Sequence, residues 1–365
     1  MSAQVPTLRW GIIATGLISS WFVEDLVLDR STAKAKHIVQ SIGSSSLEKG
    51  KAFVEKHLPG YSPTVYGSYA EVYNDPNVDI VYIGTPHAFH KQNCLDAISA
   101  GKHVLCEKAF TITAKEAREV LEAAKKKGVF VMEAMWTRFF PLTKALQSVL
   151  HSEKLVGDIR RTFCDFAMNM NIDSLGPDSR LKNPALGAGS LLDIGVYSLT
   201  FTILGLDSRV GDNAVKPKIA ATQTLSDGID IATSALLLYP DGKQGILTSS
   251  TQVKTPEAFC RIEGSDGYVV VEGVATSVPG SFTVHSSKAS GEGWTESTTP
   301  GHKAKKYDFE RPGRGFYWEA DAVALDIAAG RTESAIMPWA ETVRVMEIMD
   351  EIRRQGGARF PQDDQ

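Results

Sequence analysis

The sequence predicts an α/β domain built on a doubly wound parallel sheet, followed by an α+β domain built on a large open, mainly antiparallel sheet. Apolar strand-like runs alternate with helical segments through the first third of the chain, the pattern of parallel strands joined by crossover helices. From about residue 135 the texture turns to consecutive extended segments separated by Gly, Asp and Ser turns, as in a sheet of antiparallel neighbours. At 365 residues, 43% of them hydrophobic, the chain has apolar material for two cores. The boundary is expected near residue 135, with a first domain over 1–135 and a second over 136–365.

The opening run LRWGIIATGLISSWF, residues 8 to 22, reads as a buried strand over Trp10–Ala14, a tight turn and an amphipathic helix from Leu17. Further strands are expected at His37–Ile42, Val78–Gly84, His103–Glu107 and Val129–Glu133. A helix over residues 114 to 127 is well marked: Thr113 and Glu116 fit a capping box, AKEAREVLEAAKKK supplies strong helix formers, and Gly128 stands where a left-handed terminator belongs. In the second domain DIRRTFCDFAMNM, KIAATQTL, ATSALLLYP, KQGILTSSTQV, FCRIEG, YVVVEG and SFTVHSS read as strands. Residues 286 to 306 read as a solvated loop. A closing helix from Ala340 to Arg354 sets Val343, Met346 and Ile348 among charges, a stripe suited to packing back on one domain, the first being a candidate.

A net charge of −4, from 39 basic and 43 acidic residues without a long basic run, carries no electrostatic footprint for nucleic acid. The start, MSAQVPTLRW, lacks the charged-then-apolar pattern of a secretory leader, and no apolar stretch is expected to reach bilayer-spanning length. No membrane partner and a cytoplasmic location are therefore expected. Cys94, Cys106, Cys164 and Cys260 form no C-x-x-C pair and no zinc spacing, so reduced thiols are expected.

The first turn poses a question of chemistry. A dinucleotide fingerprint reads G-x-G-x-x-G there, and this chain has Ala14, Gly16 and Ser19. All three are small; Gly16 allows close approach of a pyrophosphate, and Ala14, Thr15, Gly16, Leu17 and Ile18 form the candidate phosphate turn at a helix N-terminus. An ordinary strand-turn-helix explains the same residues. The end of the second strand selects between cofactors. A site for NAD places an acid there for the ribose 2′-hydroxyl, whereas this chain has Ser44, Ser45 and Ser46 with no carboxylate before Glu48 and with Lys49 nearby. Hydroxyls and an ammonium suit a 2′-phosphate, so NADP is the expected cofactor. A polar loop feeding a helix is the plainer alternative.

YIGTPHAFH at 82–90, HVLCEKAFT at 103–111 and GAGSLLDIGVYSL at 187–199 carry a resemblance over nearly the whole chain to the glucose-fructose oxidoreductase and inositol dehydrogenase family. EAMWTRFFP at 133–141 and the Tyr of DIGVY narrow it toward the dimeric dihydrodiol dehydrogenases and the fungal NADP-dependent D-xylose dehydrogenases. The resemblance implies a Rossmann domain followed by a domain with a large open sheet, a small-molecule sugar or diol substrate, and a homodimer through the open sheet. Two positions depart from the family pattern. The usual Glu-Lys-Pro reads Glu107, Lys108, Ala109, and the Arg often found after the second strand is Ser45.

From the motifs the resemblance implies that Lys108 and Tyr197 are catalytic, with Asp193 beside them, and that Thr85, His87, His90, Glu107, Lys108, Trp136 and Arg138 border the cofactor. The chemistry is coherent: a phenol titrates near about 10 in water and is a poor base at neutral pH unless a cation such as Lys108 favours phenolate. Tyr197 would then take a hydroxyl proton as hydride leaves the same carbon. Plain alternatives stand beside each role. Lysines are usually solvated, Tyr197 suits a half-buried aromatic, and Asp193 suits an N-cap or an ion pair as well as substrate binding or orientation of Lys108. Trp136 and Arg138 suit a core contact and a salt bridge. His87 and His90 have metal-ligand spacing without a third ligand, so cofactor contacts or a helix start are favoured and no metal is expected. The implied activity is oxidation of an aldopyranose, D-xylose above all, at C1 to a lactone, with trans-dihydrodiol oxidation as the enzymatic alternative. A non-enzymatic regulator resembling the galactose-pathway repressor is the alternative of another class; it has no need of a Lys and Tyr acid-base pair.

Overall fold

The computed structural model describes residues 5–364. Met1 to Gln4, the start of the stretch read for a leader, and Gln365 lie outside the described residues. The chain divides into two units, Met1–Phe139 with Arg311–Val343, and Phe140–Glu310 with Arg344–Gln365.

In the first unit the chain runs β1 (Thr7–Ile13), α1 (Leu17–Leu26), β2 (Lys36–Gly43), α2 (Leu47–His57), β3 (Thr64–Tyr66), α3 (Tyr69–Asn74), β4 (Ile80–Ile83), α4 (His90–Ser99), β5 (His103–Glu107), α5 (Ala114–Lys127) and β6 (Val131–Ala134). The strands form one sheet in the order β3-β2-β1-β4-β5-β6, parallel throughout. Strand order reverses between β1 and β4, and the carboxyl ends at such a point form the ligand crevice of doubly wound sheets. Helix α5 begins and ends as its sequence dictates. The Thr113 hydroxyl accepts from the Glu116 amide at 3.2 Å, the Glu116 carboxylate accepts from the Ile112 amide at 3.1 Å, and Gly128 terminates the helix at φ 71°.

The second unit adds α6 (Pro141–Gln147), β7 (Ile159–Ala167), α7 (Val196–Leu206), β8 (Lys218–Ser226), β9 (Ile229–Leu238), β10 (Gln244–Ser250), β11 (Ala258–Gly264), β12 (Gly267–Ala275), β13 (Val278–Ser286), β14 (Thr295–Glu296) and β15 (Lys303–Asp308). Its nine strands lie in the order β14-β15-β13-β12-β11-β7-β10-β9-β8. All neighbours are antiparallel except β7 and β10, which are parallel, so the sheet is mixed and mainly antiparallel. Helix α7 packs on β7 and β10; a Cβ at Gly245 on β10 would come within 2.4 Å of Thr202, so glycine permits this approach.

The last helices are α8 (Phe316–Ala328) and α9 (Trp339–Gly356). Residues 311–343 group with the first unit, although a boundary at 135 assigned them to the second. Long-range pairs explain it. The buried Asp25 carboxylate accepts from the amides of Gly315 at 2.6 Å and Phe316 at 2.9 Å, capping α8, and Arg30 pairs with Asp321 at 3.2 Å. Helix α9 starts in the first unit's residues and continues in the second's.

Two further expectations are corrected. Residues 286–306 are not wholly loop, because β14 and the start of β15 pair there along the sheet edge. The stretch Pro184–Leu206 is, against expectation, long and apolar enough to cross a membrane; 94% of its apolar 18-residue window is buried inside the fold, as in a core helix. The four cysteines are buried and free, and the sheet register sets Cys164 opposite Cys260.

Candidate active site

The β1–α1 turn has the shape a pyrophosphate needs. Ala14 takes the left-handed conformation at φ 75°, and Gly16 is the N-cap of α1 with no side chain bonded to the helix end. A Cβ at Gly16 would meet nothing within 4 Å, so the space over the turn is open, and Leu17 is 65% exposed beside it. The first amides of α1 therefore face outward without a side-chain cap. Ser19 is fully buried against the end of β4, where a Cβ on Gly84 would lie 2.4 Å from its hydroxyl. Its small size serves helix-strand contact, as the third fingerprint glycine does.

The end of β2 lies beside this turn, with the Thr15 and Ser44 hydroxyls 3.4 Å apart. Ser44 is buried, whereas Ser45 and Lys49 are exposed. Ser46 caps α2 by accepting from the Lys49 amide at 3.2 Å, so its hydroxyl is committed to the helix. Ser45 and Lys49 are exposed at this corner, together with Leu47 and Glu48.

Behind β4 and β5 the loops are tied together. Thr85 accepts from the Asn93 amide at 3.1 Å, and the half-turn His87–Phe89 leads into α4. His87 and His90 meet edge to face at 5.6 Å. The His90 ring is buried: Nε2 lies 2.7 Å from the Thr85 carbonyl, and Nδ1 lies 3.0 and 3.2 Å from the carbonyls of Ala109 and Phe110. His90 is the first residue of α4, and both ring nitrogens lie against backbone carbonyls, to one side of which the neutral ring donates its single N–H. Glu107 is buried and accepts from the Tyr82 hydroxyl at 2.6 Å, which likewise commits one of its oxygens to the interior. Nearby Glu319 on α8 is wholly buried with neither oxygen hydrogen-bonded among the described residues, and burial, reinforced by the charge of Glu107, pushes its carboxyl well above the usual range. Lys108 is half-buried, and the Lys108–Ala109 peptide is cis.

Trp136 and Arg138 follow β6. Trp136 stacks on Phe316 with centroids 4.0 Å apart, and Arg138 pairs with Glu341 at 2.6 Å with both side chains almost fully buried. For Arg138 the ion-pair alternative is the one realised, inside the unit rather than on its surface.

In the second unit Tyr197 is 5% exposed, with its ring edge-to-face on Phe166 at 5.7 Å. The helix bearing it opens with a π-helical turn, Leu191–Gly195, that contains Asp193. Such turns recur at functional sites. Asp193 lies 3.6 Å from Arg180, so an ion pair is present there as well as proximity in sequence to Tyr197. Sequence reasoning missed the residue that starts this helix. Asp230 is wholly buried and accepts from the Ser190 hydroxyl at 2.7 Å, the Leu191 amide at 2.8 Å and the Thr233 hydroxyl at 2.9 Å. Its only sequence signal was a charged residue inside an apolar strand.

Comparison with known proteins agrees with this architecture. Residues 8–135 match the oxidoreductase family with an NAD-binding Rossmann fold, and residues 144–270 match the GFO/IDH/MocA C-terminal domain. The chain is similar to the D-xylose 1-dehydrogenase (NADP(+)) of Hypocrea jecorina, 37% identical over 375 residues that span 98% of this chain and 94% of that one. It is also similar to the trans-1,2-dihydrobenzene-1,2-diol dehydrogenase of Sus scrofa, 36% identical over 357 residues, 98% of this chain and 99% of the other. A levoglucosan dehydrogenase solved with NADH and levoglucosan has the same fold at 17% identity, with a TM-score of 0.80 over 96% of this chain and 97% of that one. With both domains matched in order and relatives aligned end to end, the chain belongs to the GFO/IDH/MocA oxidoreductase family.

Proposed function

We propose that this protein is an NADP-dependent dehydrogenase that oxidises an aldopyranose, D-xylose by preference, at C1 to the lactone. The observation that carries the reading is the end-to-end similarity to an NADP-dependent D-xylose 1-dehydrogenase. The residues fit the cofactor: the open space at Gly16 and the uncapped start of α1 suit a pyrophosphate, and Ser45 with Lys49 suits a 2′-phosphate. NADP, when bound, supplies the hydride acceptor. Lys108 binds the reacting hydroxyl and biases the phenol toward ionisation, Tyr197 takes the hydroxyl proton, and Asp193 orients substrate or Lys108. His87 and Trp136 border the cofactor, with Glu107, His90 and Arg138 in the layer beneath it, where Glu107 accepts from Tyr82, His90 meets the backbone of Thr85, Ala109 and Phe110, and Arg138 pairs with Glu341. The second reading, oxidation of a trans-dihydrodiol, is favoured by the similarity to the diol dehydrogenase and uses the same residues. A screen of aldoses and trans-dihydrodiols with NADP and NAD, followed by absorbance of the reduced nicotinamide, separates them. D-Xylose with NADP should give the highest kcat/KM; a diol in that place overturns the sugar assignment.

Ser45→Asp puts a carboxylate where the 2′-phosphate would lie. The Kd for NADP should rise roughly tenfold or more, the scale of removing one charge-assisted hydrogen bond and setting a like charge in its place. Fluorescence titration that finds equal or tighter NADP binding overturns the cofactor corner.

The protein is also proposed to be a cytoplasmic homodimer that buries the sheet face opposite α7. Phe163 lies on that face between the guanidinium groups of Arg161 and Arg261, each 4.7 Å from the ring, and both pair with Glu263. Half-buried Ile246 and Val270 continue it. An uncovered sheet face of this kind is stabilised by a partner. Sedimentation should report a dimer at micromolar concentration; monomer alone removes the proposal.

A further inference from the structure

We propose that Glu133, at the end of β6, is a positioning residue for Lys108, acting through the backbone of Phe110. The inference rests on the reading that Lys108 serves the reaction.

The geometry is a two-sided clamp. One oxygen of Glu133 accepts from the Phe110 amide at 3.2 Å, while the Phe110 carbonyl lies 3.2 Å from Nδ1 of His90. The neighbouring Ala109 carbonyl lies 3.0 Å from the same nitrogen. Ala109 and Phe110 are fully buried, so the backbone immediately after Lys108 is held on opposite sides by an α4 imidazole and a β6 carboxyl. The family motif has proline at this place and the chain has Ala109, so ring closure supplies no restriction of φ here. Hydrogen bonds do the restricting instead: the Glu133 carboxylate on the Phe110 amide, and on the carbonyl side the neutral His90 ring in the tautomer with its one N–H at Nδ1.

A carboxyl is a costly choice for this task. Glu133 is 1% exposed and its second oxygen has no hydrogen-bond partner among the described residues. A glutamine would accept the same amide proton without burying a charge. What glutamate adds is sensitivity to protonation. The groups facing it are Arg138, already paired with Glu341; Glu341 itself; Thr342, which hydrogen-bonds to it; and the Cys106 thiol on β5. Two acids share one guanidinium, and burial lifts the Glu133 carboxyl to about 7, against the opposing pull of Thr342 and Arg138. His90, pushed down by burial to about 3, does not titrate in the same window. A carboxylate accepts a hydrogen bond roughly twice as strong as a neutral acceptor does, so the hold on Phe110 weakens as pH falls through neutrality.

The test uses Glu133→Ala, Glu133→Gln and Lys108→Met in the full chain. Without cofactor, the amides around Phe110 should exchange hydrogen faster in Glu133→Ala than in wild type. With cofactor, its kcat should fall roughly ten- to hundredfold, the scale of a catalytic group misplaced by about 1 Å, with little change in the Kd for NADP. Wild-type kcat should decline on the acid side of about 7, the value burial sets for Glu133, whereas Glu133→Gln, a neutral acceptor at every pH, should lack that limb and show throughout the exchange and kcat that wild type reaches at low pH. Unchanged exchange and kcat in Glu133→Ala overturn the proposal. If that variant does not fold, an acid limb that persists in Glu133→Gln overturns it alone. Lys108→Met separates the two readings: if it is inactive while the Glu133 variants behave as wild type, only the clamp fails; if it turns over normally, the role of Lys108 falls first.

Discussion

Tyr197→Phe should lower turnover by roughly 10²- to 10⁴-fold, the usual scale of general acid-base catalysis, with little change in NADP affinity. The substitution removes the hydroxyl and keeps the ring, so the edge-to-face contact with Phe166 and the buried packing of α7 persist. Destabilisation is therefore a poor explanation for an activity loss, and thermal unfolding of the variant checks that point. Lys108→Ala should also suppress turnover. Because the lysine is proposed to tune the phenol, the two losses should not multiply: the double variant should fall about as far as the worse single one, as happens when residues act as a unit. Multiplicative losses would mean independent roles. A deuterium isotope effect at C1 establishes that hydride transfer limits the rate; if Tyr197→Phe then keeps wild-type turnover, another group takes the proton.

The parts of this site legible in sequence are those whose partners are near in the chain. The strand, turn and helix around Gly16, the α5 cap at Thr113 and its stop at Gly128 depend on residues within a few positions of one another. The motifs around Lys108 and Tyr197 brought those two residues forward without any geometry. Partners far apart in sequence were not legible. Arg138 finds Glu341 at a separation of 203 residues, Asp25 caps α8 at 290 and 291, and Asp230 holds Ser190 at 40. Composition alone cannot tell a buried, paired charge from a solvated one, because both read as a polar residue among apolar ones. For His90 the sequence left a cofactor contact and a helix start open; it is the first residue of α4, and its contacts to Ala109 and Phe110, 19 and 20 residues away, were not legible. The return of residues 311–343 to the first unit was invisible for a related reason: α8 has ordinary helical sequence, and what assigns it is the set of buried contacts from α1 and β2.

The Arg138–Glu341 pair gives the largest expected effect on stability. Arg138→Met keeps much of the side-chain volume and removes the guanidinium that pairs with Glu341 and holds the Glu133 carboxyl down. Breaking a buried pair from one side costs about 3–5 kcal/mol, because the remaining charge loses its compensation and stays desolvated. That is a large share of the roughly 5–15 kcal/mol that holds a typical domain folded. The loss should depend on pH. Without the guanidinium, which holds the Glu133 carboxyl down, that carboxyl rises further above its value in the unfolded chain. The folded variant then binds protons more readily than the unfolded chain, so its stability increases as pH falls, and the deficit against wild type narrows from pH 8 to about 6. Replacing both partners, Arg138→Met with Glu341→Leu, should recover most of the loss, since apolar groups of similar size carry no desolvation penalty. Urea midpoints of the first transition, measured at both pH values, check all three statements. A cost below about 1 kcal/mol for Arg138→Met, the range of solvent-screened surface pairs, would mean that the cluster is not buried in solution.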